Sequence, residues 1–166
     1  MMIVMGIDPG LASTGYGVVA RGQGRLLALD GGVIETLPRE RQEQRLAQIH
    51  GAVGELLEEH RPAAVALEQL YFGQNARTAF AVGQARGAVM LAAGQREVRC
   101  FSYTPQQVKG AVCGSGSADK RQVARMVGAL LALPQPPGSE HAADALAVAI
   151  CHANRAPLSL ALEGPE

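Results

Sequence analysis

The sequence predicts an α/β fold: a mixed five-stranded sheet, three antiparallel strands and then parallel ones, with helices on both faces. Three observations carry this expectation. The first 36 residues are short apolar runs separated by tight turns. From Glu40 the apolar spacing changes from alternation to steps of three and four. Beyond His60, short apolar strands alternate with helical stretches, which defines strand–helix–strand units with right-handed parallel crossovers. A chain of 166 residues suits one domain.

The elements follow in order. Met2–Ile7 is apolar and β-branched, and Pro9-Gly10 marks a turn. Thr14–Ala20 is a second strand whose glycines permit close backbone approach. Gly22-Gln23-Gly24 turns the chain into a third strand, Arg25–Thr36, with a bend expected at Gly31-Gly32. Connections this short require antiparallel pairing. Leu46, Ile49, Val53, Leu56 and Leu57 then form one face of a helix over Glu40–His60, which Arg61-Pro62 ends. Ala63–Glu68 is a buried strand, Gln69–Asn75 a loop, Arg77–Ala93 a helix rich in Ala and Gly, and Val98–Tyr103 a fifth strand. Thr104 caps a short helix with Pro105 at its first position. After the flexible loop Gly114–Ser117, Ser117 is placed to cap a helix over Ala118–Leu131, and Ser139 caps a last helix ending near Arg155. Residues 156–166 have no pattern and are expected to be disordered.

Composition narrows the function classes. Cys100, Cys113 and Cys151 are scattered and odd in number, without zinc-like spacing, and fit a reducing compartment. No apolar run approaches a membrane span, and the N-terminus lacks a signal-peptide pattern, so a cytoplasmic protein is expected. Net charge is zero but unevenly spread: residues 61–125 hold nine Lys/Arg against three acids, between two acidic ends. A basic middle of this kind can present one face to a polyanion.

Three acids stand at the edges of apolar runs. Asp8 follows IVMGI, Glu68 follows AAVAL, and Asp144 lies in SEHAADALAVAI, three residues after His141. In an open sheet, sites form outside the carboxyl ends of the strands. If the first and fourth strands are parallel neighbours, Asp8 and Glu68 lie side by side. Positions i and i+3 share a helix face, so His141 and Asp144 can point at one target. Clustered carboxylates ionise together cheaply only beside a cation, and hard oxygen ligands suit magnesium or manganese. Two such ions can clamp the attacking and leaving oxygens of phosphodiester hydrolysis.

GIDPG with TGYGVV, ALEQLYFGQN, VGQARG, QQVKGAVCGSGSADKRQV and HAADALAVAI together resemble the RuvC-type Holliday-junction resolvases. The match runs in order from Met2 to about Arg155. The resemblance implies an RNase-H-like nuclease domain over residues 1–155, acting as a homodimer that makes paired symmetric nicks in four-way junction DNA during recombination and repair. It implies Mg2+ or Mn2+, two ions per site, and docking to the branch-migration proteins RuvA and RuvB. It assigns Asp8, Glu68 and Asp144 as metal ligands and catalytic residues, with His141 where the family usually has an aspartate. A nitrogen ligand is softer and titratable, which predicts an altered metal preference and weaker activity in acid.

The resemblance also marks DNA contacts. Tyr71, on the loop after Glu68 with Phe72 beside it, is expected to stack on splayed bases. Lys109 and Lys120 flank the Gly-Ser loop and are expected to touch phosphates, with the loop amides in support. Arg77, Arg121 and Arg125 are weaker candidates for the same strip. The small and apolar residues of the helix Arg77–Ala93 exceed what one buried face needs and leave room for a partner subunit. Rival readings fit less well. An actin-like or sugar-kinase ATPase shares the GIDPG turn but needs about twice the length, and an RNase H or a DnaQ-like exonuclease typically places a second acid where this chain has Gly10. A non-catalytic junction-binding relative predicts loss of a ligand, and only His141 gives it room.

Overall fold

The computed structural model describes residues 1–69 and 75–162, with side chains up to residue 156. Its strands are β1 (Met2–Asp8), β2 (Ser13–Gly22), β3 (Arg25–Glu35), β4 (Ala64–Glu68) and β5 (Arg99–Tyr103). Its helices are α1 (Gln42–His60), α2 (Ala76–Gln95), α3 (Pro105–Cys113), α4 (Lys120–Leu130) and α5 (Glu140–Leu162). The strands form one sheet in the order β3-β2-β1-β4-β5. β1–β2 and β2–β3 are antiparallel, and β1–β4 and β4–β5 are parallel, as expected. No helix among the described residues is long and apolar enough to cross a membrane.

Alternation along the strands creates two cores. Met5, Ile7, Val18, Val65 and Leu67 face α1 and α2, where they meet Ile49, Val53, Ala85 and Val89. Val4, Val19 and Ala66 face the other way, toward α3, α4 and α5, and meet Val108, Val127, Leu146 and Ile150. Because the side-chain period is two, Asp8 and Glu68 end their strands on this second face, the one that α5 covers.

The same face of β1 and β2 carries Gly6, Gly15 and Gly17, and α5 rests on them. A methyl group on Gly6 would stand 1.9 Å from the Ala145 carbonyl oxygen, and one on Gly15 would stand 2.1 Å from that of His141. The expected close approach is thus made by the backbone of α5. At the β2–β3 turn, Gln23 (φ 53°) and Gly24 (φ 74°) are both left-handed, the pattern of a tight type I′ hairpin.

Several boundaries differ from the sequence reading. The β3 irregularity is not at Gly31-Gly32. The register slips where Val18 and Val19 face Asp30 and Ala28, leaving Leu29 as the extra residue. Gly32 instead makes room for Tyr16, whose hydroxyl oxygen would lie 2.7 Å from a methyl group there. Ser117 does not cap α4. Asp119 does, accepting from the Gln122 amide in a reciprocal capping box, and Ser117 bonds to Ser115 within the loop. Ala118, buried, is a core residue that anchors the loop before the helix begins. Helix α5 continues past Arg155 to Leu162, because Leu-Ser-Leu-Ala-Leu after Pro157 consists of residues that helices accept well even without an apolar stripe.

Candidate active site

β1 and β4 run parallel with Ile7 opposite Leu67, so the next residues along, Asp8 and Glu68, stand side by side at the carboxyl ends. α5 begins above them. Ser139 accepts from the Ala142 amide at 3.4 Å and starts the helix, which places His141 and Asp144 in its first two turns. His141 Nδ1 lies 3.1 Å from Asp8 Oδ2. Asp144 joins Asp8 and Glu68 in lining a cavity with a volume of about 400 Å³. Lys109 of α3, Lys120 of α4 and Arg86 of α2 line it too, so three acids and three cations converge from five elements and the end of β4.

The electrostatics are those of crowded carboxylates. Asp144 is pushed up to about 6, first by desolvation and then by the charge of Asp8. Glu68 is raised by burial and then by Asp144 and Asp8. Asp8 is raised by burial, an effect opposed by its bond to His141. Lys120 bonds Glu140 and lies 4.0 Å from Asp144, so it partly neutralises the cluster. The donor set is three mutually repelling carboxylates with one imidazole beside them, and that chemistry fits a divalent cation. Asp8, Glu68, His141 and Asp144 would hold it.

These ligand atoms are not drawn as tight as a closed metal cage. Among the described residues, the group of three with ligand atoms all within 4.8 Å of one another is Asp30, Glu59 and His60, away from the cavity on β3 and the end of α1. His60 Nε2 is 2.9 Å from Asp30 Oδ2, and a hydrogen bond between them accounts for that closeness.

The expected DNA contacts divide. Lys109 and Lys120 are in the cavity. Arg125 lies beside the Gly-Ser loop in a second groove with Ser115, Ser117, Gln122 and Met126. Arg121 is exposed on the first turn of α4, and Arg77 is exposed on the first turn of α2. Two of the four loop amides are engaged within the chain: the Gly114 amide donates to the Gly110 carbonyl and the Ser117 amide to Ser115 Oγ. Tyr71 and Phe72 lie outside the described residues. Sequence reasoning missed Arg86 and Glu140. Glu140 was legible as the acid adjoining His141, but its partner Lys120 lies 20 residues away.

The sheet order, its antiparallel and parallel halves and the acidic cleft at the β1 and β4 ends define an RNase-H-like nuclease. Comparison with known proteins gives the family. The family model described as crossover junction endodeoxyribonuclease RuvC matches residues 4–152. Curated proteins of that description are 48% identical in Pelotomaculum thermopropionicum, over 92% of this chain and 93% of the relative, and 51% identical in Thermomicrobium roseum, over 91% and 92%. The structure of Thermus thermophilus RuvC in complex with Holliday junction substrate aligns with a TM-score of 0.91 at 43% identity, covering 96% of this chain and 97% of that one. The yeast mitochondrial Holliday junction resolvase shares the fold, with a TM-score of 0.61 at 12% identity. The chain belongs to the RuvC family of crossover junction endodeoxyribonucleases.

Proposed function

We propose that this endonuclease resolves four-way DNA junctions by paired symmetric nicks, using Asp8, Glu68, His141 and Asp144 to hold divalent metal. The observation that carries the reading is the convergence of Asp8, Glu68 and Asp144 on one cavity that Lys109 and Lys120 also line. Two Mg2+ or Mn2+ ions, when bound, supply an activated water and neutralise the departing 3′ oxygen. The chain's own residues do the rest. Lys109 and Lys120 receive the scissile phosphate, and Lys120 leaves Glu140 and Asp144 to do so. Arg77, Arg121 and Arg125 extend the basic strip along the DNA, and Tyr71 stacks at the opened junction centre.

Symmetric cutting needs two sites, and α2 supports a homodimer. Its buried face holds Ala79, Ala85, Val89, Ala92 and Ala93, while Phe80, Met90 and Leu91 remain 67%, 43% and 56% exposed. Phe80, Gly87 and Leu91 follow helical spacing on one stripe. Exposed apolar residues clustered in this way mark association surfaces. Family membership supports docking to RuvA and RuvB, and the three free cysteines fit action in the cytoplasm.

The test is nicking of a synthetic four-way junction with a mobile core, in magnesium, manganese and chelator, with Asp8→Asn beside the wild type. Paired metal-dependent nicks that Asp8→Asn loses while still binding the junction are expected. Binding without nicks in every metal would overturn the catalytic reading in favour of a junction-binding relative.

A further inference from the structure

We infer that Arg86 is a positioning residue that fixes the carboxyl end of β4 and so aims Glu68 into the metal site. The inference rests on the proposed role of Glu68 as a metal ligand.

Arg86 reaches from the middle of α2 to two strands at once. Its Nη1 donates to the Glu68 carbonyl oxygen at 2.7 Å, and its Nη2 donates to Ser102 Oγ at 2.5 Å. Ser102 lies on β5 opposite Leu67, one register step before the Glu68–Tyr103 pair. One planar guanidinium therefore ties the last residue of β4 and the penultimate residue of β5 to a helix. The Gln69 amide donates to the Tyr103 carbonyl at 2.6 Å, the last sheet-like bond before the chain leaves β4. Glu68 is the final residue of its strand, so without the clamp its backbone has a ladder on one side only.

The action is geometric. The charges that act on the Glu68 carboxylate are those of Asp144, Asp8, Lys109 and Lys120. Arg86 binds the main chain of Glu68 and lets the side chain face the cavity. A rigid fork with two donors on one face suits this task, and a lysine ammonium reproduces it in part only, because it cannot hold two fixed parallel bonds. Holding a ligand within a fraction of an ångström of its productive place is worth about 10²-fold in rate per ångström of error.

The test is single-turnover cleavage of a four-way junction across a Mn2+ series, with junction binding measured in Ca2+. It compares wild type, Arg86→Ala, Arg86→Lys, Ser102→Ala and Glu68→Gln. For Arg86→Ala the expected result is junction affinity within about threefold of wild type, a rate lower by about 10- to 100-fold, and a higher metal concentration for half-maximal rate. Arg86→Lys should recover part of the metal shift, and Ser102→Ala should show a small one. If Arg86→Ala does not fold, these two variants decide: a metal midpoint unchanged in both overturns the inference. A wild-type rate and midpoint in Arg86→Ala overturns it as well. So does lost junction affinity with an unchanged midpoint, which makes Arg86 a phosphate contact instead. Glu68→Gln tests the parent reading separately, since a wild-type rate there removes Glu68 as a ligand whatever Arg86 does.

Discussion

His141 Nδ1 and Asp8 Oδ2 stand 3.1 Å apart, joining the first turn of α5 to the carboxyl end of β1. The two residues are 133 positions apart in sequence, and this bond closes the site across the whole length of the fold. It depends on how α5 is seated on the sheet, on the metal-free charge balance beneath it and on the cations around it. Each gives a prediction.

Gly15→Ala should loosen the site. Its new methyl group would meet the carbonyl oxygen, the carbonyl carbon and Cβ of His141, and backbone gives way far less easily than a side chain. The cost should be about 1–3 kcal/mol of stability. Displacing His141 should lower the cleavage rate by about 10²-fold. Gly17→Ala is the control for the site, because its methyl group would meet Leu146 (Cδ2 at 2.6 Å, Cγ at 2.7 Å and the main-chain nitrogen at 3.0 Å) and not His141, so it should cost stability with a smaller loss of rate. Thermal melts and single-turnover cleavage check both. A Gly15→Ala protein with wild-type melting and rate removes the argument.

Asp144→Asn should stabilise the metal-free protein at pH 8. Asp144 titrates at about 6 in the fold against an ordinary 3.8, so between those values the folded chain keeps a proton that the unfolded chain releases. Its contribution to stability is complete below about pH 4 and is lost as the pH rises through 6. At pH 8 the charge is a burden, and removing it should raise stability by roughly 1–3 kcal/mol. Saturating metal should reverse the order, since the wild-type carboxylate then has its cation. Melting curves in chelator and in Mn2+ give both numbers. Asp144→Asn melting at or below wild type in chelator would show that the crowding is relieved in another way.

Lys109→Ala with Lys120→Ala should flatten the salt dependence of junction binding. Loss of two phosphate contacts reduces the log–log slope by roughly two units. Lys120 is held by Glu140 and approached by Asp144 in the free protein, so the Lys120 change alone should show the smaller loss of affinity at low salt. Fluorescence anisotropy in chelator, over a range of potassium chloride, measures the slope. An identical slope in the double variant would take both lysines off the DNA path.

Much of this was legible in the sequence because it rests on periodicity. A strand period of two places Asp8 and Glu68 on one sheet face, and helical spacing places His141 and Asp144 on one side of α5. The chain order and the short first connections gave the mixed sheet. What was not legible depends on long-range partners or on competition between close alternatives. Arg86 sits among alanines and glycines in a helix whose pattern speaks of packing against the sheet and a partner, and its two acceptors lie on strands 16 and 18 residues away. Ser117 and Asp119 are both good caps, and burial of Ala118 between them decided for Asp119. The role of the Leu29 bulge went to Gly31-Gly32 because glycine marks flexibility in a sequence, while here it marks room for Tyr16.

The glycine floor under α5 has a consequence for how this chain can vary. Helices usually stand off a sheet on their side chains, and exchanging those side chains changes the gap. Here the gap beside the site is gauged by main chain on main chain, at Gly6 against Ala145 and at Gly15 against His141. The two cores can therefore drift in composition without altering the reach from β1 to α5. The tolerance is asymmetric: many core positions are negotiable, and a few glycines with no chemistry of their own are the narrow gate through which any working descendant must pass.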